Sequence, residues 1–185
     1  MIGNRRGASV SGFLEPVAHI EAIDRATLNR CLSAWGHRMG EFTRPSYAIE
    51  AHHALFHHGE PIAVTAASET VRETIGDTGI SRFEVVELAR LCAMRPHLSR
   101  PMLRLWRELL FPDIAAAHGR AFAVSYQDEA LHTGDVYRHD GWLKIGKGGR
   151  GGPDSRTGRL GRSLAIWGWP RKIGDVVEQR RKEAA

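Results

Sequence analysis

An α/β domain is the fold class this sequence predicts, and three observations predict it. Two apolar runs with spaced polar residues, 83–92 and 121–126, have the length and composition of strands. The stretch 98–111 lies between them and has a helical composition. Two further short runs, 48–56 and 61–67, meet around His57-His58-Gly59-Glu60 and read as a hairpin. At 185 residues the chain has material for one sizeable core, assigned to residues 1–172, with a charged tail over 173–185 that reads as helical or disordered.

Taken in order, residues 21–35 read as the first helix, with Ile20, Ile23, Leu28, Cys31, Leu32 and Trp35 on its apolar face. Gly36, Gly40 and Pro45 then break the pattern before the hairpin. Residues 69–81 are polar, contain Gly76 and Gly79, and read as a surface excursion. In the helix at 98–111, Leu103, Trp106 and Leu110 form the buried stripe; Pro112 predicts its end or a kink, with a short restart at 114–117. After the strand at 121–126 come a short helix or turn at 134–139 and a strand from Trp142 to Ile145. Residues 147–161, with six glycines and little to bury, read as a loop, and 164–170 as a docked strand. Trp167 and Trp169, two apart, share one face of that strand and read as core cover.

Composition removes several function classes. Cys31 and Cys92 offer neither a disulfide framework nor a thiolate metal site, so cytoplasmic residence is expected. No apolar run approaches the roughly 18 residues of a membrane span. His52 and His53 point to opposite faces of a strand while His57 and His58 sit at a turn, so no metal site is expected. The glycines at 148–152 lack the strand-to-helix setting of a phosphate-binding loop.

Open α/β sheets bind ligands beyond the carboxyl ends of their strands, which directs attention to Ser125, Tyr126 and Asp128 and to the following His132-Thr133-Gly134-Asp135-Val136-Tyr137. Each has a structural alternative. Asp128 can cap the turn after its strand, Tyr137 can pack on a short helix, Ser125 can satisfy a local backbone group, and His132 can end the strand. Glu87, among the apolar neighbours Val85, Ala89 and Leu91 of a regular strand, is either paired with an arginine or exposed at a gap in the sheet.

Four segments together resemble the phage Mom DNA-modification branch of the GNAT acyltransferase superfamily over about residues 35–147. They are Glu87-Leu88-Ala89-Arg90-Leu91, Ser99-Arg100 before a helix, Val124-Ser125-Tyr126-Gln127-Asp128, and the run from His132 to Trp142. The resemblance implies a GNAT-like three-layer fold whose central mixed, mostly antiparallel sheet splits between two neighbouring strands. It also implies acetyl-CoA or a related acyl donor in that split. The pantetheine arm would run along Leu88, Ala89, Arg90 and Leu91, and the pyrophosphate would meet Arg95, Ser99 and Arg100 at a helix start, where free amides attract anions. The glycine-rich loop of acetyl-CoA enzymes is absent, His97-Leu98-Ser99-Arg100-Pro101 standing in its place. Mom-like proteins modify the exocyclic amine of adenine in DNA. Carried over, this makes Asp128 the group that orients the amine or accepts its proton, Tyr137 the proton donor, Ser125 a positioning group, and Glu87 a second candidate base. Tyr47 and His52 would line the pocket from the hairpin.

Charge bears on the partner. Between Leu143 and Lys182 there are eleven Lys/Arg against three acids. Such a stripe either meets phosphates or is a solvated surface. Arg150, Arg156, Arg159, Arg162, Arg171 and Lys172 are the expected contacts to double-stranded DNA. Two rival functions remain: a GNAT-like enzyme acylating a small amine, peptide or tRNA, and a non-enzymatic nucleic-acid-binding accessory protein.

Overall fold

The computed structural model describes residues 17–45, 48–149 and 163–184. Seven strands form one sheet in the order β1-β2-β3-β4-β5-β7-β6. They are β1 (Ala18–Ala22), β2 (Glu50–His57), β3 (Glu60–Ser68), β4 (Val85–Ala93), β5 (Phe122–Asp128), β6 (Leu143–Gly148) and β7 (Leu164–Trp169). Every neighbouring pair is antiparallel except β4 and β5, which run parallel. The sheet is mixed and mostly antiparallel, as the resemblance implies.

Helices cover both faces. On one face lie α2 (Ser99–Leu105), a π-helical turn (Trp106–Leu110), α3 (Phe111–Ala117) and the short α4 (Asp135–Arg138); Leu103, Trp106, Phe111 and Tyr137 pack there on Val86, Leu88, Ala123 and Trp167. On the other face α1 (Arg25–Ala34) places Leu28, Cys31 and Leu32 against Ala54, Val64 and Ala66. Beside it α5 (Ile173–Glu183) places Ile173 and Val177 against Val85, Val124 and Ile166.

Three expectations change. The helix at 21–35 begins later, because Asp24 caps it by accepting from Thr27 N–H at 2.6 Å. Residues 18–22 instead add an edge strand to β2. Pro112 does not end its helix: the wider π turn ahead of it places the proline in the first turn of α3, where no intrahelical N–H is required. The polar segment 69–81 is no mere excursion, since Ile75 and Ile80 are fully buried and Glu69 is held in the interior by Arg82 and Arg120. The charged tail beyond residue 172 takes the helical one of its two expected states, as α5, whose Arg180 and Arg181 pair with Glu84 and Asp77.

Candidate functional site

β4 and β5 hold together for three residue pairs only, Val85↔Phe122, Val86↔Ala123 and Glu87↔Val124. β4 continues to Ala93 and β5 to Asp128 without further pairing to each other, so the sheet parts at their carboxyl ends. This is the split between neighbouring strands that the GNAT resemblance implies. On its other side β4 stays paired with β3, but with a bulge: Ala66 faces Arg90 and Ala67 faces Leu88, leaving Ala89 as the extra residue. A regular strand would set Glu87 and Leu91 on one face. The bulge breaks that alternation, so Leu91 packs with Leu88 on the α2 face while Ala89 packs on the α1 face.

Two groups close the inner end of the split. Ser125 Oγ donates to Leu88 O at 2.9 Å and lies 2.8 Å from Tyr137 Oη. A serine hydroxyl has one proton and a carbonyl only accepts, so Tyr137 donates to Ser125 and Ser125 to Leu88. Tyr137 is only 8 % exposed, stacks on Trp167 and meets Trp142 edge-on. Burial raises its pKa above the ordinary tyrosine value, outweighing the hydrogen bond to Ser125, so the phenol keeps its proton at neutral pH.

Gly134 sets the start of α4 and thereby Tyr137. Its φ is +79°, and a Cβ there would come within 2.6 Å of both Gln127 Oε1 and Trp167 Cζ2. Gln127 uses that oxygen to accept from Trp167 Nε1 at 2.8 Å and its amide nitrogen to donate to His132 O. The far end of α4 is tied to α2: Arg100 donates to His139 O at 2.6 Å, and the fully buried Asp140 carboxylate pairs with Arg104 at 3.2 Å and Arg107 at 3.0 Å.

On the opposite face Glu87 is buried, its side chain 4 % exposed, and pairs with Arg44 Nη1 at 2.7 Å; the same nitrogen reaches Ser68 Oγ at 3.3 Å. Tyr126 stands on this face too. Burial, reinforced by the Glu87 carboxylate, pushes its pKa up to about 12.

The structure thus brings Ser125, Tyr137 and Leu88 together, and places Glu87 across the sheet from them. Asp128 does not join Tyr137. It follows Tyr126 by two in the strand, so it is directed to the Glu87 face, and its Oδ1 accepts from Ala130 N–H at 3.1 Å as a turn cap. His132 is exposed in the loop before α4. Arg90 lies over the Phe42 ring and donates to Ala89 O at 2.8 Å. Arg95 and Arg100 are exposed beside the half-buried Ser99. Arg171 and Lys172 are exposed, whereas Arg150, Arg156, Arg159, Arg162 and Tyr47 lie outside the described residues. Arg44, Gln127 and Asp140 are site residues that the sequence reading did not single out. Only the arginine partner of Glu87 had a signal, the cost of burying a carboxylate alone.

No protein-family model matches this sequence, and no curated protein matches it. Solved structures do match. The ribosomal-protein-S18-alanine N-acetyltransferase of Escherichia coli is 14% identical with a TM-score of 0.51, over 83% of this chain and 93% of that one. Spermidine N-acetyltransferase of Vibrio cholerae is 10% identical with a TM-score of 0.56, over 84% and 95%. A Salmonella typhimurium protein described as an acetyltransferase, solved with acetyl-CoA, is 13% identical with a TM-score of 0.54, over 83% and 93%. The fold is that of the GNAT acetyltransferases.

The helix start after β4 offers few free backbone donors. Pro96 and Pro101 have no N–H, Leu98 N–H is spent on Arg95 O at 3.0 Å, and Ser99 N–H on Pro96 O. Few amides are left to receive an anion, so a pyrophosphate here would depend on the guanidinium groups of Arg95 and Arg100. No helix among the described residues is long and apolar enough to cross a membrane.

Proposed function

We propose that this chain transfers an acyl group from a coenzyme A thioester to an amine. The observation that carries the reading is the parting of β4 and β5 directly after the Glu87↔Val124 pair, with the Tyr137 hydroxyl at its floor. The edge of β4 from Leu88 to Ala93 has no strand on its β5 side, so its backbone can receive the amides of a pantetheine arm. Arg95 and Arg100 stand where the donor's phosphates would follow. When bound, the thioester supplies the acyl group and a sulfur that needs a proton on leaving. Tyr137 holds a proton at Oη in a buried position, and rotation of that hydroxyl away from Ser125 presents it to the split. Glu87, buried on the other face and held in direction by Arg44, would have to be reached by the incoming amine to accept its proton.

The test is thiol release from acetyl-CoA with a polyamine, an amino-terminal alanine peptide and an aminoglycoside as acceptors. Amine-stimulated release is expected. Tyr137→Phe should lower kcat by about 10²-fold or more, in the range general acid groups contribute. Absence of both coenzyme A binding and turnover in folded protein would sink the reading.

A second acceptor, the exocyclic amine of adenine in duplex DNA, with protection of that DNA from restriction, is favoured by one observation. Arg171 and Lys172 are exposed and without ion pairs among the described residues, within a terminal quarter holding eleven cations to three acids. Part of that surplus is spent internally, Lys144 on Glu129, Arg180 on Glu84 and Arg181 on Asp77, which weakens the case for a long phosphate contact. Mass analysis of deoxyadenosine from cells expressing the protein decides it: an added mass that disappears with Tyr137→Phe supports DNA, and unchanged nucleosides leave the small or peptidyl amine.

A further inference from the structure

We propose that Asp140 is a positioning residue for Tyr137: it fixes the turn of helix that carries the phenol onto the helix that starts where the donor's phosphates would lie. The lock is geometric, and its catalytic consequence rests on the acyltransferase reading. α4 is a single turn, too short to hold a direction through its own hydrogen bonds. Gly134, close against Gln127 and Trp167, sets its first end. Arginines set its last. Arg100, Arg104 and Arg107 are spaced four and three apart, as on one face of a helix, and all three reach residues 139 and 140. Arg100 donates to His139 O at 2.6 Å, Arg104 Nε to Asp140 Oδ1 at 3.2 Å, and Arg107 Nη1 stands 3.0 Å from Asp140 Oδ2 while donating to Asp140 O. Asp140 passes the constraint back directly, its own N–H donating to Tyr137 O at 3.1 Å.

The Asp140 side chain is fully buried, and that of Arg107 is nearly so at 10 % exposed, its guanidinium lying 4.3 Å over the Trp169 ring. Buried ion clusters of this kind are often no more stabilising than apolar side chains of the same volume, and their best-attested use is to fix register. Register is what Tyr137 requires. Its ring contacts with Trp142 and Trp167, at 5.6 Å each, are satisfied over centroid separations of about 4.5–7 Å, a latitude that would forfeit its 2.8 Å hydrogen bond to Ser125. The helix on the other side of the lock supplies the donor end: Arg100 stands in the first turn of α2, and the N–H groups it does not spend on His139 O can take a phosphate. A donor seated there meets a proton donor already fixed relative to its thioester.

Two variants and two readouts test this on the whole chain. Asp140→Asn removes the charge; Asp140→Leu with Arg107→Met replaces the buried pair by apolar side chains and serves where the first variant fails to fold. The coupling between Ser125→Ala and Tyr137→Phe in urea unfolding reads the hydrogen bond between those side chains without reference to catalysis. It should be present in the wild type and at least roughly halved in either Asp140 background. In thiol release from acetyl-CoA, Asp140→Asn should lower kcat by about tenfold or more, leave KM for acetyl-CoA within about twofold, and lower kcat no further in the Tyr137→Phe protein. A fall in kcat as large with Tyr137→Phe as without it, a rise in KM with kcat unchanged, coupling undiminished by the loss of Asp140, or failure of both variants to fold would each overturn the proposal. A wild type that neither binds coenzyme A nor releases thiol from acetyl-CoA sinks the acyltransferase reading instead, and the urea cycle still decides whether Asp140 holds Tyr137 in place.

Discussion

The relay Tyr137 to Ser125 to Leu88 O makes a prediction in which one substitution changes sign with its background. Tyr137→Phe in the wild type removes one donor while Ser125 still donates to Leu88 O. The net loss of a single hydrogen bond predicts a cost of about 1 kcal/mol. Ser125→Ala leaves two buried groups without their partner, the Tyr137 hydroxyl and the Leu88 carbonyl, at about 1–3 kcal/mol each, so a loss of about 2–6 kcal/mol follows from a change of one oxygen atom. In the Ser125→Ala protein the Tyr137 hydroxyl has become the liability. Removing it with Tyr137→Phe should then stabilise by about 1–2 kcal/mol, the desolvation cost it recovers. Urea unfolding of the four proteins, with equal m-values as the control for a two-state comparison, reads the cycle directly. If Tyr137→Phe costs the same in both backgrounds, the three groups are not one chain and the assignment of Tyr137 as donor to Ser125 is wrong.

Three further outcomes follow from the same geometry. Arg44→Ala leaves the buried Glu87 carboxylate without its counter-charge and should destabilise by about 3–5 kcal/mol, whereas Arg44→Ala with Glu87→Gln should recover much of this in the same urea experiment. Gly134→Ala has to displace Gln127 or Trp167 and also strains a residue at φ +79°, so it should cost more than about 1 kcal/mol and change the near-ultraviolet circular dichroism of Trp167. Burial lowers the pKa of His37 to about 4, aided by Arg90 and His132, and burial also lowers His52 and His53. These imidazoles are neutral in the fold and take up protons on unfolding below their ordinary value of about 6.5. Stability should be full above pH 6.5 and decline toward pH 4, and a His37→Gln variant should show a shallower decline in its urea midpoint between pH 7 and pH 5.

The sequence shows most where a rule is local. The hairpin at 48–56 and 61–67 is recovered as Glu50–His57 and Glu60–Ser68, because His58 and Gly59 take the positive φ values, 49° and 79°, that a tight two-residue turn needs. The pairing of Trp167 with Trp169 on one face follows from the period of a strand, and both pack toward the α2 face. What escapes is whatever depends on a distant partner. Residues 21 and 22 read as the start of the first helix and instead belong to the strand 18–22, because the edge of β2 is there to pair with. Residues 69–81 look solvated because their two buried isoleucines are outnumbered, and Glu69 is tolerated inside by Arg82 and by Arg120, which is 51 positions away.

The candidate site shows the same limit more sharply. Ser125 and Tyr137 were legible as residues of the right chemistry beyond the end of an apolar run, and they do meet. Asp128 was equally legible, yet a strand alternates, and a side chain three positions after Ser125 belongs to the other face. Whether such a residue meets Tyr137 is decided by α4, which rises over the Ser125 face because Gly134 lets it approach Gln127 and Trp167. Glu87 is the converse case. Its face follows from alternation through Val86, but the bulge at Ala89 turns Arg90 onto the Phe42 ring and leaves the distant Arg44, from the loop after α1, as the cation that reaches the carboxylate. The split between β4 and β5 therefore has a proton-bearing phenol on one face and a clamped carboxylate on the other. In the proposed acyl transfer to an amine these would be the two ends, the carboxylate to receive a proton and the phenol to give one.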